Sequence, residues 1–359
     1  MQLGDLARAV RLLTRAAAFA ALALCLHPAG ANAEYLSRPE VHSFMESLQA
    51  EHGLELASLE RIMGEARHQP KVVRLIGPER VTADQPVRSY PRYRAKFLTK
   101  TRIAAGARYW EAHHEHLERA EAEFGIPPEV ILGILGVETA FGRVTGTFRV
   151  VDSLTTIAFD GPRRQEYFRD ELKEFLLLAH ETNIDPLAIR GSYAGAMGLP
   201  QFMPSSYRRH AVDFDGDGLI DLVDSAADAI GSIASYLKAH GWVAGEVASV
   251  PVLLPPGSEA VLVTGLERAH RVAELEAQGA KFSGSPVRPE DTCSVVELPA
   301  PGTKSRYLAG FANFEAITRY NRSTFYATAV LELADAIRAT RTRQAATTRG
   351  APAGTLAAP

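Results

Sequence analysis

Residues 191–207 read Gly-Ser-Tyr-Ala-Gly-Ala-Met-Gly-Leu-Pro-Gln-Phe-Met-Pro-Ser-Ser-Tyr. Glycines at 191, 195 and 198 and prolines at 200 and 204 break any regular helix and describe a shaped wall. Small residues let a ligand approach the backbone closely. Ser192, Gln201, Ser205 and Tyr207 supply neutral hydrogen-bonding groups, which suit a sugar or a peptide better than an anion. Taken alone, the same composition also fits small residues packed tightly against a neighbouring helix.

Upstream of this wall lies Gly-Val-Glu-Thr-Ala-Phe-Gly-Arg, 136–143. The pair Pro127-Pro128 opens a helix here, since proline is tolerated in a first turn whose N–H groups have no partner. Val130, Ile131, Ile134, Leu135 and Val137 make the helix very apolar, and Glu138 stands at its far end. A carboxylate in such surroundings is partly desolvated, which raises its pKa toward the range of a proton donor. One glutamate is weak evidence, however. A helix-end carboxylate accepting hydrogen bonds from the following loop accounts for it as well.

Downstream, residues 213–224 read Asp-Phe-Asp-Gly-Asp-Gly-Leu-Ile-Asp-Leu-Val-Asp. Asp213, Asp215 and Asp217 occupy the first, third and fifth positions of an EF-hand loop, and Gly218 the sixth, where the chain turns sharply. Leu219 can offer its carbonyl at the seventh position and Asp221 a direct or water-bridged contact at the ninth. Asp224 replaces the usual bidentate glutamate at the twelfth. Clustered carboxylates repel unless a cation neutralises them, so a structural Ca²⁺ is expected, with Na⁺ as the alternative. No organic cofactor is expected.

These segments lie in a chain of 359 residues, 46% apolar and 23% charged, which is enough to build a sizeable core and excludes wholesale disorder. Thirty-nine basic and 42 acidic side chains give a net charge of −3, so bulk attraction to nucleic acid is not expected. The first 33 residues form an export signal: Arg8, Arg11 and Arg15, an apolar run from Ala16 to Leu26, and Ala-Asn-Ala at 31–33 before Glu34. Lipid attachment at Cys25 is disfavoured by Leu24, where a small residue is required. Cleavage leaves 36 basic and 41 acidic side chains, net −5, and Cys293 as the lone cysteine.

Helical spacing recurs over 39–66, 94–124, 167–180 and 224–240, whereas 70–90 lose it and 150–159 form a short apolar region. Extended segments with recurring proline and glycine fill 250–309. Residues 322–339 return to a helical pattern, and 340–359 lack an apolar stripe and read as a disordered tail. His113, His114 and His116 lack zincin spacing and read as a solvated helix face. Arg88, Arg92, Arg94 and Lys96 form a basic cluster beside Tyr90 and Tyr93, facing either an anionic polymer or solvent.

Together, Val-Glu-Thr-x-x-Gly at 137–142, Pro162-Arg163-Arg164, the run 191–207, the aspartate loop, Ala229-Ile230-Gly231-Ser232, Gly241-Trp242 and Ile317-Thr318-Arg319-Tyr320-Asn321 resemble the bacterial lytic murein transglycosylases of the B type. The likeness runs from about residue 39 to 338. It implies a mainly α, α+β fold: an N-terminal helical region over 34–124, a lysozyme-like catalytic core over 125–246, a small β domain over 247–309 and a C-terminal helical segment over 310–339.

The implied substrate is the glycan of peptidoglycan, cut non-hydrolytically to leave 1,6-anhydro-muramyl ends. The resemblance makes Glu138 the sole acid/base, gives Ser192 the substrate acetamido group and Gln201 a sugar contact, and lines the cleft with Tyr236, Tyr320, Asn321, Tyr326 and Tyr93. It also implies a monomeric periplasmic protein of cell-wall turnover, with protein partners unspecified. Two alternatives stand beside it. One is a hydrolytic muramidase using Asp152, Asp160 or Glu166 as a second carboxylate; the other is a non-catalytic peptidoglycan-binding protein.

Overall fold

Pro127, in an extended conformation, and Pro128 in the first turn start the helix Pro128–Thr139 as expected. Its residues are buried on every side from Val130 to Val137, so it lies at the centre of the molecule. A helix that is apolar all round must be wrapped by others. Its closest neighbour is the C-terminal helix Thr324–Gly350. A Cβ on Gly133 would come within 2.5 Å of the Val330 carbonyl oxygen, so the two backbones meet at a separation that only glycine permits.

The computed structural model describes residues 34–77 and 88–350; the export segment 1–33 and the chain end 351–359 lie outside them. Around the central helix stand Lys100–Ala112, His114–Phe124 and Ala226–Ala239. The stretch 94–124, read as one pattern, is divided at His113, whose backbone leaves the helical region. Residues 150–159, the short apolar region, form the helix Val150–Asp160. Every residue from Val150 to Phe159 is buried, and the polar stripe of Asp152, Thr156 and Asp160 faces the N-terminal helices instead of solvent.

The N-terminal helices Pro39–His52, Leu56–Glu65 and Pro70–Ile76 lean on Val150–Asp160 through two carboxylates. Asp152 accepts from Arg67 N at 3.0 Å, Gln69 Nε2 at 3.2 Å and the Arg149 guanidinium at 2.6 Å. Asp160 accepts from Tyr35 Oη at 2.7 Å and Arg38 Nη1 at 2.6 Å, and His68 Nδ1 lies 2.9 Å away. One continuous core runs from Tyr35 to Ile337 and joins these helices to the central ones.

The segment 249–310 folds as an antiparallel sheet of strands β3 (Ser249–Leu253), β4 (His270–Arg271), β5 (Lys281–Phe282), β6 (Thr292–Leu298) and β7 (Arg306–Gly310), in spatial order β4-β6-β7-β3-β5. A separate two-residue pair, β1 (Phe148–Arg149) with β2 (Arg190–Gly191), lies beside the 191–207 wall. Period-2 alternation sorts the side chains of β6. Cys293 and Val295 enter a small core with Val250, Val252, Val272 and Leu275. Val296 and Leu298 enter the large core. The sheet thus has buried residues on both faces and rests on the helical body. The fold is mainly α with a small β element around a lysozyme-like helical core.

The reading of 340–359 as disordered needs correction over 340–350; for 351–359 it lies outside the described residues. The last helix continues to Gly350, so 340–350 is helical. Ala, Arg and Gln are good helix formers, and extending a helix already nucleated on a packed turn is far easier than starting one. Lack of an apolar stripe does not by itself prevent helicity.

Candidate active site

Glu138 sits in the last turn of the central helix, and the chain then turns through three consecutive residues in the left-handed region: Ala140 (φ 50°), Phe141 (φ 60°) and Gly142 (φ 84°). Two of these are not glycine, a conformation that persists only where surrounding contacts enforce it. Thr139 supplies one such contact. Its buried hydroxyl donates to Leu199 O at 3.1 Å and accepts from Gly142 N at 3.1 Å. The end of the acid-bearing helix is thereby fastened to the 191–207 wall.

Tyrosines surround the carboxyl group. Tyr326, on the first turn of the C-terminal helix, donates from Oη to Glu138 Oε1 at 2.6 Å. Burial pushes Glu138 up to about 7, against the opposing pull of this hydrogen bond. The negative charge of Glu138 in turn adds to burial in raising Tyr93, Tyr320 and Tyr326. The Tyr320 and Tyr326 rings stack 6.4 Å apart with planes within 16°. Tyr320 Oη donates to Pro200 O at 2.7 Å, a second tie to the wall.

Tyr236 packs against this group. It is buried, its hydroxyl donates to Arg319 O at 2.8 Å, and its ring lies 4.8 Å from Tyr320 and 5.4 Å from Phe202. Asn321 follows Tyr320 at the end of the helix Ala312–Tyr320 and is exposed, with an extended backbone.

On the wall, Ser192 Oγ accepts from Ala194 N at 3.2 Å and Ala196 N at 3.0 Å. With both lone pairs engaged, the hydroxyl hydrogen is left to donate, and no acceptor for it occurs among the described residues. Gln201 has the complementary polarity. Its Nε2 donates to Thr145 O at 3.0 Å and Gly198 O at 2.9 Å, which leaves the amide oxygen as an acceptor. Gln201 itself adopts φ 54°, and Gly198 (φ 70°) packs so tightly that a Cβ would fall 2.3 Å from Leu222 O. The wall therefore presents one donor and one acceptor on a backbone fixed by its neighbours.

The carboxylates considered as partners for Glu138 are engaged elsewhere or exposed. Asp152 and Asp160 hold the N-terminal helices, as described above, and Glu166 is exposed on the helix Gln165–Thr182. Burial and the Tyr326 hydrogen bond shift Glu138; no neighbouring carboxylate takes part.

A transglycosylase SLT domain family model matches residues 37–335. The chain belongs to this family. Membrane-bound lytic murein transglycosylase B of Escherichia coli is 41% identical over 309 residues, covering 85% of this chain and 84% of the relative. The crystal structure of soluble lytic transglycosylase SltB1 from Pseudomonas aeruginosa matches with a TM-score of 0.79 and 42% identity, covering 85% of this chain and 100% of that one. Escherichia coli lytic transglycosylase Slt35 in complex with calcium matches with a TM-score of 0.78 and 39% identity, covering 87% and 96%.

Within this SLT-domain chain the aspartate loop is only partly assembled as the spacing suggests. Carboxylate oxygens of Asp213, Asp215 and Asp217 lie within 4.8 Å of one another. Gly216 N and Gly218 N donate to Asp213 at 2.7 and 2.9 Å. Asp221 Oδ1 instead accepts from Val223 N at 2.8 Å and Asp224 N at 3.0 Å, and neither Asp221 nor Asp224 joins the group of three. Leu219 is exposed.

Three contributors escaped the sequence reading. Thr139 follows the acid directly, yet a threonine there carries no pattern of its own. Asp228 is buried and accepts from Phe214 N at 2.7 Å and Asp221 N at 2.8 Å, clamping both limbs of the loop to the helix Ala226–Ala239. Glu171 accepts from Ser205 N at 2.9 Å and Ser205 Oγ at 2.7 Å, which commits that serine to structure. A buried acid within an amphipathic helix was the available signal for Asp228 and Glu171.

Proposed function

We propose that this chain is a peptidoglycan lytic transglycosylase in which Glu138 is the single acid and base. The observation that carries the assignment is the Glu138 carboxyl, buried, pushed up to about 7 and bonded to Tyr326. A group poised near neutrality can both give and take a proton at little cost.

In the reaction, protonated Glu138 donates to the glycosidic oxygen between N-acetylmuramic acid and N-acetylglucosamine. The C1–O4 bond breaks, and O6 of the same muramic residue bonds to C1. Glu138 removes the O6 proton and is restored. No water enters, so a second carboxylate to activate one is unnecessary, unlike the hydrolytic pair. The attacking hydroxyl is tethered to the electrophile, which removes the entropic cost of recruiting it.

The wall supplies orientation. The free hydroxyl hydrogen of Ser192 suits the carbonyl oxygen of the 2-acetamido group, aligning it to shield positive charge at C1. The free oxygen of Gln201 suits a sugar hydroxyl or amide N–H. Tyr93 and Tyr320 offer ring faces and edges to a saccharide, and Asn321 lies at the exposed end of the same helix. Tyr326 holds the carboxyl in one rotamer.

Asp213, Asp215 and Asp217 fit a hard cation with oxygen ligands, and Ca²⁺ is the choice that the loop spacing and the calcium-bound relative support. The ion would stiffen the loop that Asp228 ties to the helix behind the wall. Action on peptidoglycan places the protein outside the cytoplasmic membrane, in accord with residues 1–33 as an export signal. Among the described residues no helix is long and apolar enough to cross a membrane.

Digestion of purified peptidoglycan followed by mass spectrometry tests the assignment. Anhydro-muropeptides are expected from the unaltered protein and none from folded Glu138→Gln. Reducing-end products would move the reaction to a muramidase.

A further inference from the structure

The basic cluster of the sequence is part of a longer run. Residues 88–110 carry seven basic side chains and no acidic one, whereas the other residues after position 33 carry 29 basic and 41 acidic. Arg94 is paired internally, since it and Arg306 both contact Glu332. Arg88, Arg92, Lys96 and Lys100 are exposed and have no acidic partner among the described residues. An aromatic row joins this run to the acid. Arg88 Cζ lies 4.5 Å from the centre of the Phe325 ring, Phe325 lies 5.6 Å from Tyr93, and Tyr93 lies 5.1 Å from Phe97. Arg102 closes the far end, with Cζ 5.3 Å from the Phe97 ring and Nη1 donating to Lys96 O at 3.0 Å. Phe325 precedes Tyr326, whose hydroxyl donates to Glu138 at 2.6 Å. The row therefore begins one residue from the tyrosine bonded to the acid, and a guanidinium caps each end.

Like charges gathered in one segment without counter-charges repel one another and attract a polyanion. A guanidinium resting on an aromatic ring is held in place and pre-organised for a planar carboxylate. A peptidoglycan strand carries peptide stems on its muramic residues, and their free carboxyl groups are ionised at neutral pH. Negative charge therefore recurs along the strand on either side of the linkage being cut. An anionic bilayer presents negative charge as well, but the aromatic row is poorly suited to enter one: Phe325 is buried, and Tyr93 and Phe97 are only half-exposed.

We propose that Arg88, Arg92, Lys96, Lys100 and Arg102 form an exosite that holds peptidoglycan strands by the ionised carboxyls of stems outside the linkage being cut. This inference rests on the peptidoglycan substrate proposed above. The exosite retains the polymer near the cleft through charge, while the wall and Glu138 act on a single linkage.

The test measures binding of Glu138→Gln protein, which leaves the polymer uncut, to purified sacculi. The comparison surfaces are sacculi with their stem carboxyls capped as methylamides, and vesicles of phosphatidylglycerol. Adding Arg88→Gln/Arg92→Gln/Lys96→Gln should weaken binding to native sacculi roughly fivefold to tenfold at low ionic strength, because each exposed charge contributes little and several act together. The difference should close at about 1 M salt, where the screening length is ~3 Å. Capping the carboxyls should weaken the parent to the level of the variant and leave the variant unchanged. Thermal melting checks the fold. Should loss of the Arg88 ring contact unfold the triple variant, Arg92→Gln/Lys96→Gln repeats the measurement, since neither side chain forms a hydrogen bond or ion pair among the described residues. Equal binding of parent and variant to native sacculi, or parent binding indifferent to capping, overturns the exosite. Parent binding that favours the vesicles over sacculi and is lost in the variant overturns it in favour of an anionic lipid surface. Absence of anhydro products from the unaltered protein overturns the catalytic reading alone, because sacculus binding is read without turnover.

Discussion

Tyr326 Oη and Glu138 Oε1 are 2.6 Å apart across 188 residues of sequence, and the phenol is the donor. A hydroxyl donating to a carboxylate favours its charged form, whereas burial favours the neutral one. Glu138 is the balance of the two, with burial ahead. Tyr326 thus keeps a strongly desolvated acid within reach of neutral pH.

Tyr326→Phe removes the donor and keeps the ring. The carboxyl should then titrate at higher pH, because the only opposing influence is gone. The alkaline limb of the kcat profile should shift upward, while the rate below neutrality falls because the carboxyl is less firmly oriented. A pH–rate profile checks this; an alkaline limb unchanged or moved downward would contradict the assignment of that limb to Glu138.

Glu138→Gln should reduce turnover by at least ~10²–10⁴-fold, the usual cost of losing general acid–base chemistry. Its effect on stability has the opposite sign. The folded carboxyl binds its proton up to about pH 7, whereas the unfolded one releases it near its ordinary value of 4.5. Between these pH values the native state holds more protons, so stability falls as pH rises. By pH 8 the penalty is of order 3 kcal/mol in the unaltered protein and absent from the amide. Denaturant unfolding at pH 4.5 and 8 should show Glu138→Gln gaining on the parent only at the higher pH.

Thr139→Val deletes the hydroxyl's contacts with Leu199 O and Gly142 N, and a longer one to Leu135 O at 3.3 Å. Leaving buried polar groups unpaired costs ~1–3 kcal/mol. Because the left-handed turn is released, kcat should fall more than KM rises. Ser192→Ala should show the reverse emphasis, with a lower kcat/KM on substrates bearing the 2-acetamido group and a melting temperature little changed. Steady-state kinetics and melting of both variants separate the two roles.

Replacing Asp213 and Asp217 by Asn should abolish a Ca²⁺-dependent rise in melting temperature that the unaltered protein shows after complete chelation and re-addition. A ligand bound only by the folded state stabilises it by mass action. Calorimetry showing no binding and no shift in the unaltered protein would dispose of the cation.

Much of this architecture was legible beforehand because it rests on local signals. The proline pair fixed where the central helix starts, and Gly218 stood at the sixth loop position before its backbone was seen at φ 90°. The helix Val150–Asp160 was not legible, since its polar stripe of Asp152, Thr156 and Asp160 faces the N-terminal helices instead of solvent. Within the site, Glu138 and Ser192 could be singled out by context and by resemblance. The contacts of Tyr236 with the Tyr320 ring and the Arg319 carbonyl could not, because they join residues more than 80 positions apart. Asp221 illustrates a further limit, because loop spacing marks ligand positions but does not show that a side chain will cap its own following amides.

The close approach of the last helix to Gly133 makes the burial of the acid depend on the end of the chain. A chain threaded through a membrane from its N-terminus delivers Glu138 long before Tyr326. Until the final helix docks, the carboxyl is hydrated, unbuttressed and ionised at neutral pH, and it has no proton to give. The proton-holding state of Glu138 is thus a property of the complete core and not of the helix that carries it.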